Sequence, residues 1–210
     1  MKNNLILIAV QLCVLSFVSW NQNTIEPLTI GEEAPLRDYQ MKNTDGEYLC
    51  LNKLNKENGY LVIFSCNTCP YVIGGQSFEG WEKEFPSISK AAEEANIGLA
   101  FVNSNAAKRR EGDGIKDMIQ RYSEKNYQNP YLLDSANLLA DAMGAKTTPH
   151  VFLFDNDHRL VYEGLIDNTW DPREDEKETF LLHAIQALQH GREIKVQKTA
   201  SKGCSIKRQQ

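Results

Sequence analysis

The chain has 210 residues, enough for one domain with a leader and a tail. Its apolar content of 41% supplies an ordinary core, and a net charge of −5 without a large basic cluster argues against a nucleic-acid partner.

Residues 1–20 stand apart. A short, weakly basic start precedes a nearly uninterrupted apolar run over 5–18, the layout of a secretory signal peptide. The run falls short of the ~20 residues of a comfortable span. No small-x-small cleavage site follows, because Phe17 and Trp20 intrude around Ser19. Signal peptide or uncleaved membrane anchor is therefore the reading, with Cys13 a leader residue. Export would place the protein in the periplasm or elsewhere in the envelope, where disulfides are permitted. Residues 21–30 are polar and read as a linker.

One domain is expected over 31–191. Asp45-Gly46 predicts a β-hairpin, with Cys50 in its return strand as a small buried hydrophobe. The apolar run 61–64 (LVIF) suits a strand buried on both faces of a mainly parallel sheet. Cys66 and Cys69 follow in a CxxC spacing, and Pro70 fits the first turn of a helix. At such a junction the free N–H groups and the positive end of the helix dipole favour a thiolate. They commonly lower a cysteine pKa from about 8.5 to roughly 3.5–7.5. The first cysteine, usually the more exposed, reads as the attacker and the second as the resolver.

Further elements follow in order. A helix is predicted over 76–95, interrupted at Pro86, then a strand over 97–102 and a charged loop over 108–113. Next come a helix over 115–127, an extended segment over 130–134, and a helix capped by Ser135 and stopped at Gly144. A strand over 151–154 turns back into 160–162, and a last helix covers 176–190. The polar tail 192–210 carries Cys204. This alternation predicts an α/β fold: a central mixed sheet flanked by helices, with an N-terminal β-hairpin extension.

Several motifs carry a family likeness: FSCNTCPYV (64–72), Thr148-Pro149, LVYEG (160–164), DNTWDP (167–172) and GCSIK (203–207). Together they resemble the thioredoxin superfamily, and within it the bacterial peroxiredoxin-like thioredoxin-domain proteins of redoxin type. The resemblance implies a thioredoxin-like domain with Cys66 and Cys69 as the redox pair. It also implies a cis peptide bond at Pro149, with Thr148 and Pro149 supporting the site and leaving nearby backbone free to dock a partner's chain. Cys204 is a candidate third redox thiol on a flexible tail. Trp170 and His150 are candidates for the rim.

Two departures stand out. The proline and Thr or Ser that precede the reactive cysteine in true peroxiredoxins are not matched before Cys66, and Ser65 replaces the thioredoxin tryptophan. The implied activity is thiol–disulfide exchange with protein disulfides or thiol reductant proteins of the envelope. No cofactor is implied, and membrane contact is expected only through an uncleaved leader. The alternatives are a thiol-dependent peroxidase using Cys204 as resolving thiol, and a copper- or zinc-binding thioredoxin-fold protein. CxxC is half of a zinc site, but no second CxxC or His pair has ligand spacing, so no residue is assigned to metal.

Overall fold

The computed structural model describes residues 25–76, 78–173 and 175–209. The leader expected over 1–20 lies outside them. Among the described residues no helix is long and apolar enough to cross a membrane.

Asp45-Gly46 turns strand β1 (Met41–Asn43) into β2 (Tyr48–Leu49), which pair antiparallel. The return strand is shorter than predicted. Cys50, buried, instead precedes the short helix α1 (Leu51–Leu54). β3 (Tyr60–Ser65) and β4 (Gly98–Asn103) run parallel, with Ser65 opposite Asn103. β5 (Tyr131–Leu133) is parallel to β4, while β7 (His150–Phe154) and β8 (Leu160–Gly164) run antiparallel beyond β3. The resulting sheet has the order β2-β1-β5-β4-β3-β7-β8.

The apolar run is buried because β3 lies inside this sheet, and its side chains alternate between two cores. Leu61 and Ile63 join one core with Leu99, Phe101, Val151 and Leu153. Tyr60, Val62 and Phe64 join the other with Val102, Phe152 and Phe154. The first core is closed by α3 (Phe85–Glu94), α4 (Ile115–Glu124) and α6 (Phe180–Gln189). The second is closed by α1 and α5 (Leu138–Met143). Each fully buried large aliphatic or aromatic side chain contributes about 1.5–3 kcal/mol.

Three predicted helices differ in extent. The segment 76–95 is divided: α2 (Pro70–Ile73) ends at Gly74, a 3-10 turn covers Trp81–Glu84, and Pro86 lies in the first turn of α3. The break is steric, because a Cβ on Gly80, at φ +80°, would lie 2.3 Å from the Gly74 nitrogen. α5 is preceded by Asn137 in a left-handed conformation, not capped by Ser135, and it stops at Gly144. α6 starts at Phe180, later than expected.

Segments expected to hang free are docked. Leu28 donates its N–H to Met143 O (3.2 Å), and Lys146 pairs with Glu26 (2.8 Å). At the other end, β9 (Cys204–Ser205) pairs antiparallel with β6 (Thr147–Thr148), and Ile206 is buried in the second core.

Candidate active site

The C-terminal ends of β3 and β4 and the start of β7 meet at one end of the sheet. Cys66 leaves β3, and Cys69 precedes α2. The Thr148–Pro149 bond is cis. Cys66 Sγ lies 3.2 Å from Thr148 Oγ1, and Cys69 Sγ lies 3.1 Å from Thr148 O. Both sulfurs are buried, at 1% and 3% residue exposure, so the expectation of an exposed first cysteine is not met.

Nor are the N–H groups of the α2 turn aimed at Cys66. Those of Val72 and Ile73 bond to Cys69 O. The Cys69 thiol is lowered to about 5, first by the Cys66 thiol and then by the Cys204 thiol, the Thr148 hydroxyl and the Cys204 amide, against the opposing effect of burial. In the geometry, Cys69 Sγ donates to the Thr148 carbonyl oxygen, and the Thr148 hydroxyl lies against Cys66 Sγ. The same contact with Cys69, then burial, then the Cys69 and Asp113 charges push Cys66 up. Burial and Cys69 raise Cys204 to about 11. The Cys66 and Cys69 thiols thus form one buried pair against the Thr148 hydroxyl and carbonyl.

The turn between the cysteines is clamped by Asp113, a fully buried carboxylate. Asp113 Oδ1 accepts from the Asn67 amide (2.7 Å) and Asn103 Nδ2 (2.9 Å). Its Oδ2 accepts from Thr68 Oγ1 (2.7 Å) and Asn105 Nδ2 (3.0 Å). Arg109 braces the same loop by donating to Asn103 Oδ1, Asn103 O, Asp113 O and Asp134 O. Sequence reading treated 108–113 as a charged loop. The signal available was Asn103-Ser-Asn105 at a strand end followed by an acid.

Pro149 and Thr148 do not present a free edge, because Thr148 is paired with Cys204 of β9. Gly203, at φ +155°, packs so closely that a Cβ there would lie 2.2 Å from Thr148 O. Cys69 and Cys204 line a cavity of about 240 Å³ together with Lys108, Glu111 and Lys207; Cys66 does not line it.

His150 is not on the rim. As the first residue of β7 it points into the Phe152 side of the sheet, fully buried, with its ring centroid 4.6 Å from that of Phe152. Its Nδ1 accepts from the Lys146 amide (3.2 Å), which leaves Nε2 to donate to Glu163 Oε1 (2.5 Å). Burial pushes the Glu163 carboxyl up, but His150 and Lys198 outweigh it and hold the group below its usual range. Trp170 is half-buried, and Lys202 Nζ sits 4.4 Å from its ring centroid, so this residue meets the tail two positions before Cys204. Among the described residues no group of three or more His, Cys, Asp or Glu side chains is arranged to hold a metal ion.

The signature of the Redoxin family matches residues 29–181. A search of curated proteins finds no significant match. An uncharacterized conserved protein from Geobacillus kaustophilus superposes with a TM-score of 0.76 at 28% identity, covering 86% of this chain and 93% of that one. A hypothetical protein from Sinorhizobium meliloti 1021 gives 0.76 at 24% identity, covering 88% and 97%. A putative thiol:disulfide interchange protein DsbE from Chlorobium tepidum gives 0.56 at 16% identity, covering 77% and 99%, a likeness of fold. The chain belongs to the Redoxin family and has the thioredoxin-like fold of thiol-dependent redox proteins.

Proposed function

We propose that the protein is a thiol–disulfide oxidoreductase in which Cys69 is the attacking sulfur and Cys66 the resolving one. The observation that carries this reading is the Cys66/Cys69 pair held around Thr148, with Cys69 and not Cys66 on the wall of a cavity. Cys69 thiolate attacks a partner disulfide, forming a mixed disulfide and releasing one partner sulfur as a thiolate. Cys66 then attacks Cys69 Sγ, the second partner sulfur departs, and the proton lost by Cys66 balances it. The partner is reduced by two electrons and Cys66–Cys69 becomes a disulfide. The apolar run at 5–18 supports an exported protein acting on envelope partners.

The placement of Cys204 beside Cys69 favours one second reading, a thiol peroxidase. Here the Cys69 thiolate would take an oxygen from a peroxide, and a neighbouring thiol would condense with the sulfenic acid and release water.

Reduced protein mixed with one equivalent of glutathione disulfide or of hydrogen peroxide, followed by peptide mapping, separates the two. Faster formation of Cys66–Cys69 with glutathione disulfide is the expected result, and faster linkage with peroxide would establish the peroxidase instead. Cys69→Ser should abolish both disulfides. If it keeps exchange while Cys66→Ser loses it, the sulfur roles proposed here are reversed.

A further inference from the structure

Cys204 is held in place from both sides of the strand that carries it. Before it, Leu165 N–H donates to Thr199 Oγ1 (2.7 Å) and Lys202 lies on Trp170. After it, Ile206 N–H donates to Lys146 O (3.0 Å), and Lys207 N–H donates to Asn105 Oδ1 (2.9 Å). Asn105 is itself bonded to Asp113, so the tail and the CxxC turn share one buried carboxylate through one asparagine. Thr148, whose carbonyl oxygen lies 3.1 Å from Cys69 Sγ, is the strand partner of Cys204, and the Cys69 and Cys204 side chains line the same cavity. Antiparallel pairing of Thr148 with Cys204 gives the tail the position that an extended partner chain would take on this edge.

We infer that Cys69 is the shared sulfur of two alternative disulfides, Cys66–Cys69 and Cys69–Cys204, with β9 acting as a built-in partner strand. This rests on the exchange reading above and deepens it. After Cys66–Cys69 has formed, Cys204 loses its proton and attacks Cys69 Sγ. The Cys66–Cys69 bond breaks, the Cys69–Cys204 bond forms, and Cys66 leaves as a thiolate that takes up a proton. No net oxidation occurs. The disulfide has moved from a pair with one sulfur shut off from the cavity to a pair with both sulfurs on its wall. An external thiol entering between Lys108 and Lys207 then attacks it there. β9 also excludes partners that would pair with β6, so access is through the cavity and selects small or extended thiol groups over strand-adding chains.

The test uses the full chain and two oxidants. Diamide links neighbouring thiols without requiring exchange, and glutathione disulfide reads the exchange reaction itself. With diamide, Cys66→Ser should yield a Cys69–Cys204 cross-link, Cys204→Ser a Cys66–Cys69 cross-link, and Cys69→Ser no Cys66–Cys204 cross-link. Adding Gly203→Ala to Cys66→Ser should slow the Cys69–Cys204 link about tenfold, because the new methyl forces Cys204 away from Thr148. The wild-type protein, needing no substitution, should show both disulfides in a constant ratio during partial oxidation. Cross-linking of Cys66 to Cys204, or failure of Cys69–Cys204 to form both in wild type and in folded Cys66→Ser, overturns the inference. Absence of any reaction of wild type with glutathione disulfide alongside normal diamide cross-links would instead overturn the exchange reading alone.

Discussion

Two buried carboxylates, Asp113 and Glu163, hold different parts of the site. The Asp113 carboxylate takes its four hydrogen bonds from the turn between Cys66 and Cys69 and from Asn103 and Asn105 at the end of β4. Glu163 instead joins His150 to Lys198 (3.2 Å), and its backbone bonds to Gln197 and Thr199 at the root of the tail. One cluster fixes the CxxC sulfurs, and the other fixes the strand that brings in Cys204. The comparison shows that the three sulfurs meet because two separate buried acids anchor two segments distant in sequence. A buried acid is costly unless its hydrogen bonds are satisfied, so each cluster strongly selects one geometry for its segment.

The largest effect is expected at Asp113. Asp113→Asn places an amide donor among N–H and O–H donors and should cost about 3 kcal/mol in denaturant unfolding. It should also slow Cys66–Cys69 formation; unchanged stability and unchanged kinetics would break the first half of the comparison. Glu163→Gln keeps an acceptor for His150 but loses the charge facing Lys198, for an expected cost of about 2 kcal/mol. Its kinetic signature should be selective, slowing the Cys69–Cys204 link more than Cys66–Cys69. Equal slowing of both would mean that Glu163 supports the fold as a whole, not the tail.

The smallest effect sharpens the contrast between the sulfurs. The Cys66 thiol lowers Cys69 to about 5 and burial raises Cys204 to about 11, so the proposed roles call for a Cys69 thiolate and a Cys204 thiol near neutral pH. Iodoacetamide modification of Cys69 should therefore be flat above about pH 6 and fall tenfold per unit below about pH 5. Modification of Cys204 should rise tenfold per unit from pH 7 to pH 10. Peptide-resolved rates check both slopes. A Cys69 profile that is still rising at pH 8 would return the thiolate to another sulfur.

Much of the framework was legible locally. Asp45-Gly46 marked the first hairpin, the unbroken apolar run marked β3, and Gly144 marked the end of α5, where a Cβ would lie 1.8 Å from the Glu26 carbonyl oxygen. Pro86 marked a helix start, although the break before it depended on how Gly74 and Gly80 pack against each other. The CxxC spacing brought Cys66 and Cys69 to notice, but the environment of each sulfur was not readable from the motif. Asp113 and Arg109 escaped notice because charged residues in a loop look solvated until the fold buries them. His150 was misplaced because its neighbour Pro149 is at the site, while strand alternation turns the next side chain into the core.

The sequence by itself determined the α/β alternation, the two inner strands and the presence of a cysteine pair at a strand-to-helix junction. These follow from nearest-neighbour chemistry: apolar periodicity, turn residues, and a proline that tolerates the first helical turn. Only the tertiary structure decided which sulfur lines the cavity, that the Thr148 edge is already occupied, and that Cys204 shares that cavity with Cys69. Those outcomes depend on Thr148, 79 residues beyond Cys69, on Asp113, 45 residues beyond Thr68, and on Cys204, brought to Thr148 by strand pairing. Folding brings them into contact, and the low-dielectric interior strengthens each of those contacts.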